Sequence, residues 1–385
     1  MCGIVGYTGP QSASHPLIEG LRRLEYRGYD SAGIALGTPG KLFIEKKAGK
    51  LSNLENALDA SLPNVHSGIG HTRWATHGGP TDGNAHPHVD NDGKLAVIHN
   101  GIIENYTELR SQLEAKGHKF SSETDTESVA HLLSDLRKEH KGDLTAAMRD
   151  AVKALRGSFT LLAIHADTPD VIVGVRRNSP LVVGLGDGEN FMASDVAAFI
   201  EFTKQAVELG QDEVVTMTPT SVEITDLDGN LVTPKRYEIS WDASAAQKGG
   251  FAHFMLKEIF EQPKAVADTL IGRLSDNNQI VLDELHMSAE EIRSLKKITV
   301  IACGTAYHAG MVAKYAIEKW AKIPVEVEIA SEFRYRDPII DPSTLIIAIS
   351  QSGETMDTLM AVRHAKAVGG RVLAICNTNS STIPR

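Results

Sequence analysis

The chain has 385 residues, of which 42% are hydrophobic and 23% are charged, proportions that are typical of a globular protein. A chain of this length is expected to form two or three domains and to bury substantial apolar cores. The net charge of −10 and the isoelectric point near 5.8 argue against nucleic acid or an anionic membrane as the main partner.

The three cysteines, Cys2, Cys303 and Cys376, are odd in number and lie far apart in the sequence. We therefore predict neither a disulfide framework nor a cysteine-based zinc site, and we interpret Cys303 and Cys376 as buried structural residues. No signal peptide is expected, because no lysine or arginine precedes the short first apolar stretch. The longest buried-looking run, 345–349, is far shorter than the ~20 residues of a membrane helix. These features predict a cytoplasmic protein.

The first six residues combine a cysteine at position 2 with a short apolar strand. Once Met1 is removed, as is common before a small residue, Cys2 carries both a thiol and a free α-amine. The unperturbed groups titrate near ~8.5 and ~7.7–8.0, so the amine can accept the thiol proton at neutral pH. This pattern predicts a nucleophile with its own general base. The alternative is that Cys2 is an inert, small, buried residue.

Residues 2–236 are predicted to form one domain of short strands, then helices, then strands again. This order favours an α+β sandwich over a strictly alternating α/β fold. The sequence Asp-Gly-Asn at 228–230 predicts a hairpin. The predicted strands are 4–7, 32–36, 41–46, 68–73, 95–99, 159–165, 171–176, 181–185 and 191–193, and the predicted helices are 16–24, 105–116, 125–139 and 143–155.

Three polar stretches, 26–31, 71–78 and 99–101, lie among these elements. Taken singly, each has an ordinary structural explanation: a surface ion pair for Arg73, core packing for Trp74, and a type I′ turn for Asn100-Gly101. Together with Cys2 they favour a functional site.

The motifs of the first 130 residues, taken in order, resemble those of the class II glutamine amidotransferases. The amidotransferase domain of that family has the N-terminal nucleophile hydrolase fold, so the resemblance implies a four-layer αββα sandwich. The match is to the branch of the family that also carries sugar isomerase (SIS) domains and aminates fructose 6-phosphate. The motifs are CGIVG at 2–6, RGYDSAG at 27–33, HTRWATH at 71–77, NAHPH at 84–88, HNGIIEN at 99–105 and ETDTE at 123–127.

The resemblance implies a catalytic role for three of these residues. Cys2 attacks the glutamine carboxamide, while its α-amine takes up the thiol proton and passes it to the leaving ammonia. The Asn100 side chain and the Gly101 N–H stabilise the tetrahedral oxyanion. The residues expected to bind glutamine are Arg73 for the α-carboxylate, Asp125 for the α-ammonium, Trp74, Thr76 and His77 in a lid, and Arg27 as a support of the terminus and the closed loop.

No metal ion and no other cofactor is implied by this resemblance. Several histidines in the region offer an alternative, metal-binding interpretation. No acidic or cysteine ligand stands at the usual spacing from them, so we do not favour it. These histidines are His71, His77, His86, His88 and His99.

Residues 237–285 are interpreted as a linker and a connecting helix. Small residues dominate 241–250, and a helical stretch interrupted by Pro263 follows at 254–274. Ser288, with Glu291 three residues later, predicts a capping box at the start of the next helix.

Residues 286–385 alternate strands and helices, which predicts a parallel α/β sheet. The strands are expected at 298–302, 325–329, 345–350 and 371–376, and the helices at 306–322 and 356–368. Small polar residues fill two strand-to-helix turns, where helix N-termini favour anions; simple capping is the alternative. The sequence SQSGET at 350–355 resembles the SIS domain. That resemblance implies a sugar-phosphate site of Ser350, Gln351, Ser352 and Thr355, with Thr305 holding the sugar.

The resemblance implies a second SIS subdomain that this sequence does not contain, so we expect a fragment with a complete glutaminase half. Its partial sugar half is expected to be unstable alone, because its sheet edge is open. The full-length protein is expected to be a homodimer that converts L-glutamine and fructose 6-phosphate to L-glutamate and glucosamine 6-phosphate.

Two rival interpretations stay open. The first is another class II amidotransferase, such as the phosphoribosyl enzyme of purine synthesis, and the motif at 350–355 counts against it. The second is a sugar-phosphate sensor with an inactive amidotransferase half. The presence of Cys2, Arg73, Asn100 and Asp125 counts against the sensor.

Overall fold

The computed structural model describes residues 2–58, 62–239, 250–273, 277, 280–282, 285–378 and 381–384. The chain divides into two compact units, Met1–Lys257 and Glu258–Arg385. The small-residue stretch predicted at 241–250 lies outside the described residues except for Gly250. The three-part division expected from the sequence stays a prediction.

The first unit contains two antiparallel sheets. Its strands are β1 (Gly3–Thr8), β2 (Ser31–Thr38), β3 (Lys41–Ala48), β4 (Ser67–Arg73), β5 (His88–Val89), β6 (Leu95–Ile103), β7 (Gly157–His165), β8 (Thr168–Arg177), β9 (Val182–Leu185), β10 (Asn190–Ala193), β11 (Gln205–Glu208), β12 (Val214–Met217), β13 (Val222–Thr225) and β14 (Lys235–Glu238). The eight-stranded sheet has the order β14-β11-β9-β10-β1-β4-β2-β3, and the six-stranded sheet has the order β13-β12-β8-β7-β6-β5.

Helices cover the outer face of each sheet. Alternate side chains of a strand point to opposite faces, so one face of each sheet meets the other sheet and the opposite face meets helices. Ile4, Ile69 and Ile98 pack in the layer between the sheets. The helices α1 (Ser14–Leu24) and α2 (Leu51–Ala57) contribute to the core outside the larger sheet. The helices α3 (Tyr106–Ala115), α4 (Thr126–Glu139) and α5 (Leu144–Ala154) lie on the smaller sheet, with α4 and α5 forming most of the helical side of that core. This is the predicted αββα sandwich.

The hairpin predicted around 228–230 forms, but only as a short turn, because the Asp226 N–H donates to the Asn230 carbonyl at 3.0 Å. One carboxylate oxygen of Asp226 accepts the N–H groups of Asp228, at 2.9 Å, and Asn230, at 2.8 Å, so the turn closes on itself. Beyond the turn, Thr225 and Leu231 form an antiparallel bridge, and the Val232 N–H donates to the Ile224 carbonyl at 2.9 Å. The next strand, β14, pairs with β11 at the far edge of the other sheet.

The helix α6 (Phe254–Leu270) spans the boundary between the two units. The second unit contains a parallel four-stranded sheet, as predicted. Its further elements are α7 (Ala289–Ser294), β15 (Lys297–Ala302), α8 (Gly304–Ala321), β16 (Val325–Ile329), α9 (Ala330–Tyr335), β17 (Thr344–Ser350), α10 (Met356–Ala367) and β18 (Arg371–Cys376), with sheet order β16-β15-β17-β18. The predicted capping box is confirmed, because the Ser288 hydroxyl accepts the Glu291 N–H at 3.2 Å and the Glu291 carboxylate accepts the Ser288 N–H at 2.8 Å. Ala302 and Ile349 are level in the register, so the turns after β15 and β17 lie at the same sheet edge.

Within the described ranges, no helix combines enough length with enough apolar character to cross a membrane.

Candidate active site

Cys2 stands directly before β1, and its side chain lies on the same face as that of Ile4. This face of the eight-stranded sheet meets the six-stranded sheet. The Cys2 Sγ accepts the backbone N–H of Trp74 at 3.1 Å. Burial raises the pKa of the Cys2 thiol, an effect that the Trp74 N–H opposes. The thiol is therefore protonated at neutral pH and needs a base before it can act as a nucleophile.

The segment around Gly28 and Asp30 holds the Trp74 backbone beside Cys2. A Cβ atom at Gly28 would lie 2.7 Å from the Arg73 carbonyl carbon and 2.9 Å from the Trp74 nitrogen, so only glycine permits this approach. The Asp30 carboxylate accepts the Ala75 N–H, and the Asp30 N–H donates to the Arg73 carbonyl at 3.1 Å. Sequence reasoning singled out 26–31 but did not find this contact, since the segment gives no local signal of its distant partner.

Asn100 reaches Cys2 from the opposite sheet. Its Nδ2 donates to the Cys2 carbonyl oxygen at 2.9 Å, and its Oδ1 lies 3.0 Å from the Nε2 of His71. Asn100 and Gly101 pair with β7 inside β6, so the alternative interpretation as a type I′ turn is wrong. Gly101 has φ of +118°, and a Cβ there would lie 2.0 Å from the Ser158 carbonyl oxygen, which excludes any other residue.

Arg73 is buried and orders the loop that follows β4. Its guanidinium donates to the carbonyl oxygens of His77, of Gly78 at 3.2 Å and of Gly79 at 3.3 Å. Across the described ranges, no carboxylate forms an ion pair with Arg73, which rules out the surface ion pair as its explanation. The guanidinium has five N–H donors, so it retains capacity for a planar anion.

Trp74 is 49% exposed, so it is not a core residue. Its ring packs edge-on against Tyr29, with ring centroids 5.2 Å apart. Farther along the loop, the Thr76 side chain is exposed, and the His77 ring packs edge-on against Tyr106 at 5.0 Å. These contacts are consistent with a lid over Cys2.

Asp125 and Arg27 support the site from two sides. The buried Asp125 carboxylate accepts the N–H of Ile103, at the end of β6, at 2.8 Å, and so lies beside the strand that carries Asn100. The buried Arg27 forms an ion pair with Asp195. The neighbouring Ser194 hydroxyl accepts the Ile4 N–H at 3.1 Å, so the segment that pairs with Arg27 also holds β1.

The histidines of the region bond to one another and to hydroxyl groups. His71 and His86 approach each other at 3.2 Å between their Nδ1 atoms, and His88 Nε2 lies 3.0 Å from the Thr124 hydroxyl. Within the described part of the chain, no group of three or more metal-ligand side chains is arranged to hold an ion.

In the second unit, the hydroxyl groups of 350–355 cluster at the carboxyl end of β17. Ser350 Oγ accepts the Gly353 N–H at 3.0 Å and lies 3.2 Å from the Thr355 hydroxyl. Ser352 Oγ accepts the Glu354 N–H at 3.2 Å, while the Gln351 side chain is exposed. Thr305 is exposed in the first turn of α8, at the same sheet edge.

Comparison with known proteins identifies the domains. A family model described as a glutamine amidotransferase domain matches residues 71–201, and one described as an SIS domain matches residues 291–385. Residues 71–201 therefore match a glutamine amidotransferase domain and residues 291–385 match an SIS domain, in the order that the motifs predict.

Over its whole length the chain is similar to glutamine–fructose-6-phosphate aminotransferases (isomerizing). It is 62% identical to the protein of that name from Streptomyces coelicolor and 58% identical to the one from Corynebacterium glutamicum. These matches confirm the resemblance found in the motifs. The chain spans 63% of the length of each of these relatives.

Solved structures confirm the fold. The glutamine phosphoribosylpyrophosphate amidotransferase from B. subtilis, in complex with ADP and GMP, matches with a TM-score of 0.53 and 18% identity, covering 98% of this chain and 82% of that chain. A structure described as the allosteric regulatory enzyme of purine biosynthesis matches with the same TM-score and 19% identity, covering 98% of this chain and 81% of that one. At this identity the likeness concerns the fold alone.

Proposed function

We propose that the first unit hydrolyses the side-chain amide of L-glutamine with Cys2 as the nucleophile. One observation carries the proposal. Asn100, in β6 of the six-stranded sheet, donates from its Nδ2 to the Cys2 carbonyl oxygen at 2.9 Å, and Cys2 stands directly before β1 of the eight-stranded sheet. In the chain without Met1, the Cys2 Sγ bonds to the amide carbon of glutamine, and the carbon–nitrogen bond breaks. The thiol proton passes to the Cys2 α-amine and then to the leaving ammonia. Water hydrolyses the resulting thioester to release L-glutamate and the thiol.

The tetrahedral intermediate carries a negative oxygen that needs donors already in place. The Asn100 amide has two N–H groups, and only one of them is needed for the Cys2 carbonyl. The second N–H and the Gly101 backbone N–H are the proposed donors to the oxyanion. Loss of one such donor typically slows catalysis by about 10²–10³-fold.

Glutamine binding is proposed to use the groups around the lid. The planar Arg73 guanidinium suits the α-carboxylate, and the buried Asp125 carboxylate suits the α-ammonium. The Arg73 guanidinium also donates to three carbonyl oxygens of the loop. Binding of the glutamine α-carboxylate to Arg73 is therefore coupled to the conformation of that loop. The loop residues Trp74, Thr76 and His77 are proposed to exclude water, and Arg27 to support the terminus. This chemistry uses no cofactor.

The longer protein to which this chain corresponds is proposed to transfer the ammonia to fructose 6-phosphate. The products are glucosamine 6-phosphate and L-glutamate, and this chain is expected to retain the glutaminase half-reaction only. The hydroxyls of Ser350, Ser352 and Thr355, with Gln351 and Thr305, are the proposed sugar-phosphate site, since they cluster at a sheet edge beside a helix N-terminus. We also propose a homodimer for the full-length protein and a cytoplasmic location, in keeping with three free cysteines.

The proposal is tested by glutamate release from L-glutamine, with the intact mass measured to confirm removal of Met1. We expect hydrolysis by the wild type and by Cys303→Ala, and none by Cys2→Ala. Hydrolysis by Cys2→Ala, or none by a folded and processed wild type, would refute the glutaminase proposal.

A further inference from the structure

Behind Asn100, a chain of hydrogen bonds runs through His71, His86, Thr126 and His99, which we call the histidine relay. All four side chains are buried, with at most 5% of each residue exposed. The contacts are His71 Nε2 to Asn100 Oδ1 at 3.0 Å, His71 Nδ1 to His86 Nδ1 at 3.2 Å, His86 Nε2 to the Thr126 hydroxyl at 2.8 Å, and that hydroxyl to His99 Nδ1 at 2.9 Å.

Two backbone carbonyls fix the direction of the hydrogen bonds at the Asn100 end. His71 Nε2 also lies 2.9 Å from the His99 carbonyl oxygen, which can only accept, so Nε2 carries a proton. That N–H faces Asn100 Oδ1 as well, while Asn100 Nδ2 faces the Cys2 carbonyl, another pure acceptor. The amide of Asn100 is thus oriented from both of its ends.

Burial keeps the three imidazoles of the relay neutral. It lowers the pKa of His71 to about 3, lowers the pKa of His86 well below its ordinary value, and also lowers the pKa of His99. A neutral imidazole has one N–H and one bare nitrogen. Because His71 donates through Nε2, its Nδ1 is bare and accepts the Nδ1–H of His86. His86 Nε2 then accepts the Thr126 hydroxyl proton, and the Thr126 oxygen accepts the Nδ1–H of His99.

We propose that His71 is a positioning residue for glutamine hydrolysis, and that the histidine relay holds the Asn100 amide with its N–H groups toward Cys2. This inference rests on the proposed glutaminase function. The two ends of a carboxamide have nearly the same shape, so packing alone does not select its orientation. The inverted amide would place a carbonyl oxygen where the oxyanion forms, and two negative oxygens there would repel each other. The relay ends beside Asp125, because Thr126 follows it directly and His99 Nδ1 lies 3.9 Å from its carboxylate.

The kinetic test compares His71→Leu with His71→Gln. Leucine removes the Nε2 donor, whereas the glutamine amide nitrogen can reach the same two acceptors. We expect kcat for glutamine hydrolysis to fall by at least about 10-fold in His71→Leu and to be largely rescued in His71→Gln. KM for glutamine should change little, because Arg73 and Asp125 bind the substrate ends.

A double-mutant cycle separates positioning from a general structural role. If His71 acts through Asn100, then His71→Leu should change kcat by less than about two-fold in a chain that already carries Asn100→Ala. If His71→Leu lowers kcat by the same factor in both backgrounds, His71 does not act through Asn100 and the inference is overturned.

A measurement on the wild type does not depend on activity and uses a variant only to assign signals. Nitrogen-15 NMR of histidine-labelled protein separates protonated from bare ring nitrogens, and the His71→Gln spectrum identifies the His71 signals. We expect His71 to be protonated at Nε2 only and His86 at Nδ1 only, unchanged between about pH 5 and pH 8. His71 protonated at Nδ1 would overturn the inference. A wild type with this tautomer but without glutamine hydrolysis would refute the proposed function and leave the orientation of Asn100 established.

Discussion

Replacing Asn100 with alanine removes two hydrogen bonds at the centre of the site. The Cys2 carbonyl loses its donor at 2.9 Å, and His71 loses one of its two acceptors, the Oδ1 at 3.0 Å. His71 keeps the His99 carbonyl at 2.9 Å, so its N–H stays satisfied. The variant is therefore expected to fold, with the unsatisfied Cys2 carbonyl as its main structural defect.

The change should affect catalysis more than stability. Loss of one oxyanion donor corresponds to about 10²–10³ in kcat, or ~2.7–4 kcal/mol of transition-state stabilisation. The unpaired Cys2 carbonyl should lower the free energy of unfolding by about 1–3 kcal/mol. KM for glutamine should stay within about three-fold, because the lost donor acts mainly in the transition state.

Asn190→Ala is a matched control for Asn100→Ala. Asn190 is a buried asparagine of the same unit, and its Nδ2 donates to two backbone carbonyls, those of Thr218 at 2.8 Å and Pro219 at 3.2 Å. Both variants should lose comparable stability in urea unfolding, whereas only Asn100→Ala should lose kcat in the glutamate-release assay. If Asn100→Ala keeps kcat within about three-fold of the wild type, Asn100 is not an oxyanion donor.

Three further perturbations test other parts of the account. Burial alone would raise the pKa of the Glu127 carboxyl, but His131 and the donors of Ser121 and Ser122 hold it well below its ordinary value. The ionised Glu127 carboxylate therefore stabilises the folded state at pH values above its unfolded-state pKa of ~4.3. This stabilisation is lost as the pH falls toward the folded-state pKa. Glu127→Gln should lower the free energy of unfolding at about pH 7 and by less at about pH 3; equal losses at both would contradict this. Gly28→Ala should lower kcat, because its methyl group displaces the Trp74 N–H from Cys2, while Gly83→Ala, which meets only one atom at 3.9 Å, should not. Ser352→Ala should weaken fructose 6-phosphate binding in calorimetry, and the surface control Ser294→Ala should not; equal affinities would remove Ser352 from the proposed site.

The long elements of the fold were predictable because their sequences are strongly periodic or continuously apolar. Several short ones were missed: α2 and the strands β11 to β14 have between four and seven residues, too few for a period to show, although the equally short β9 and β10 were predicted. Helix α9 begins at Ala330, directly after the last residue of β16, so no turn residue marks the boundary. The strand β14 pairs with a strand about 30 residues earlier, and only the assembled sheet selects that partner.

The chemistry of an N-terminal cysteine pointed to Cys2, whereas Asn100 and Arg73 were singled out only through the resemblance to the amidotransferase family, and the roles of all three stay proposals. The contacts that position these residues join segments far apart in sequence, such as Gly28 against Arg73 and His86 against Thr126. The first arises when β2 pairs with β4, and the second when the start of α4 meets the loop that carries His86. A histidine read from sequence alone gives no indication of which ring nitrogen carries the proton, because its partners set the tautomer.

The most direct test of the central claim is covalent trapping of the nucleophile. The processed protein is incubated with a glutamine analogue that carries an electrophilic carbon in place of the carboxamide, and its peptides are analysed by mass spectrometry. The account predicts a single adduct on the peptide that begins at Cys2, blocked by excess L-glutamine and absent in Cys2→Ala. Cys303 and Cys376 should stay unmodified under the same conditions. An adduct on either of these two cysteines in place of Cys2, or labelling that L-glutamine does not block, would contradict the assignment of Cys2 as the glutaminase nucleophile.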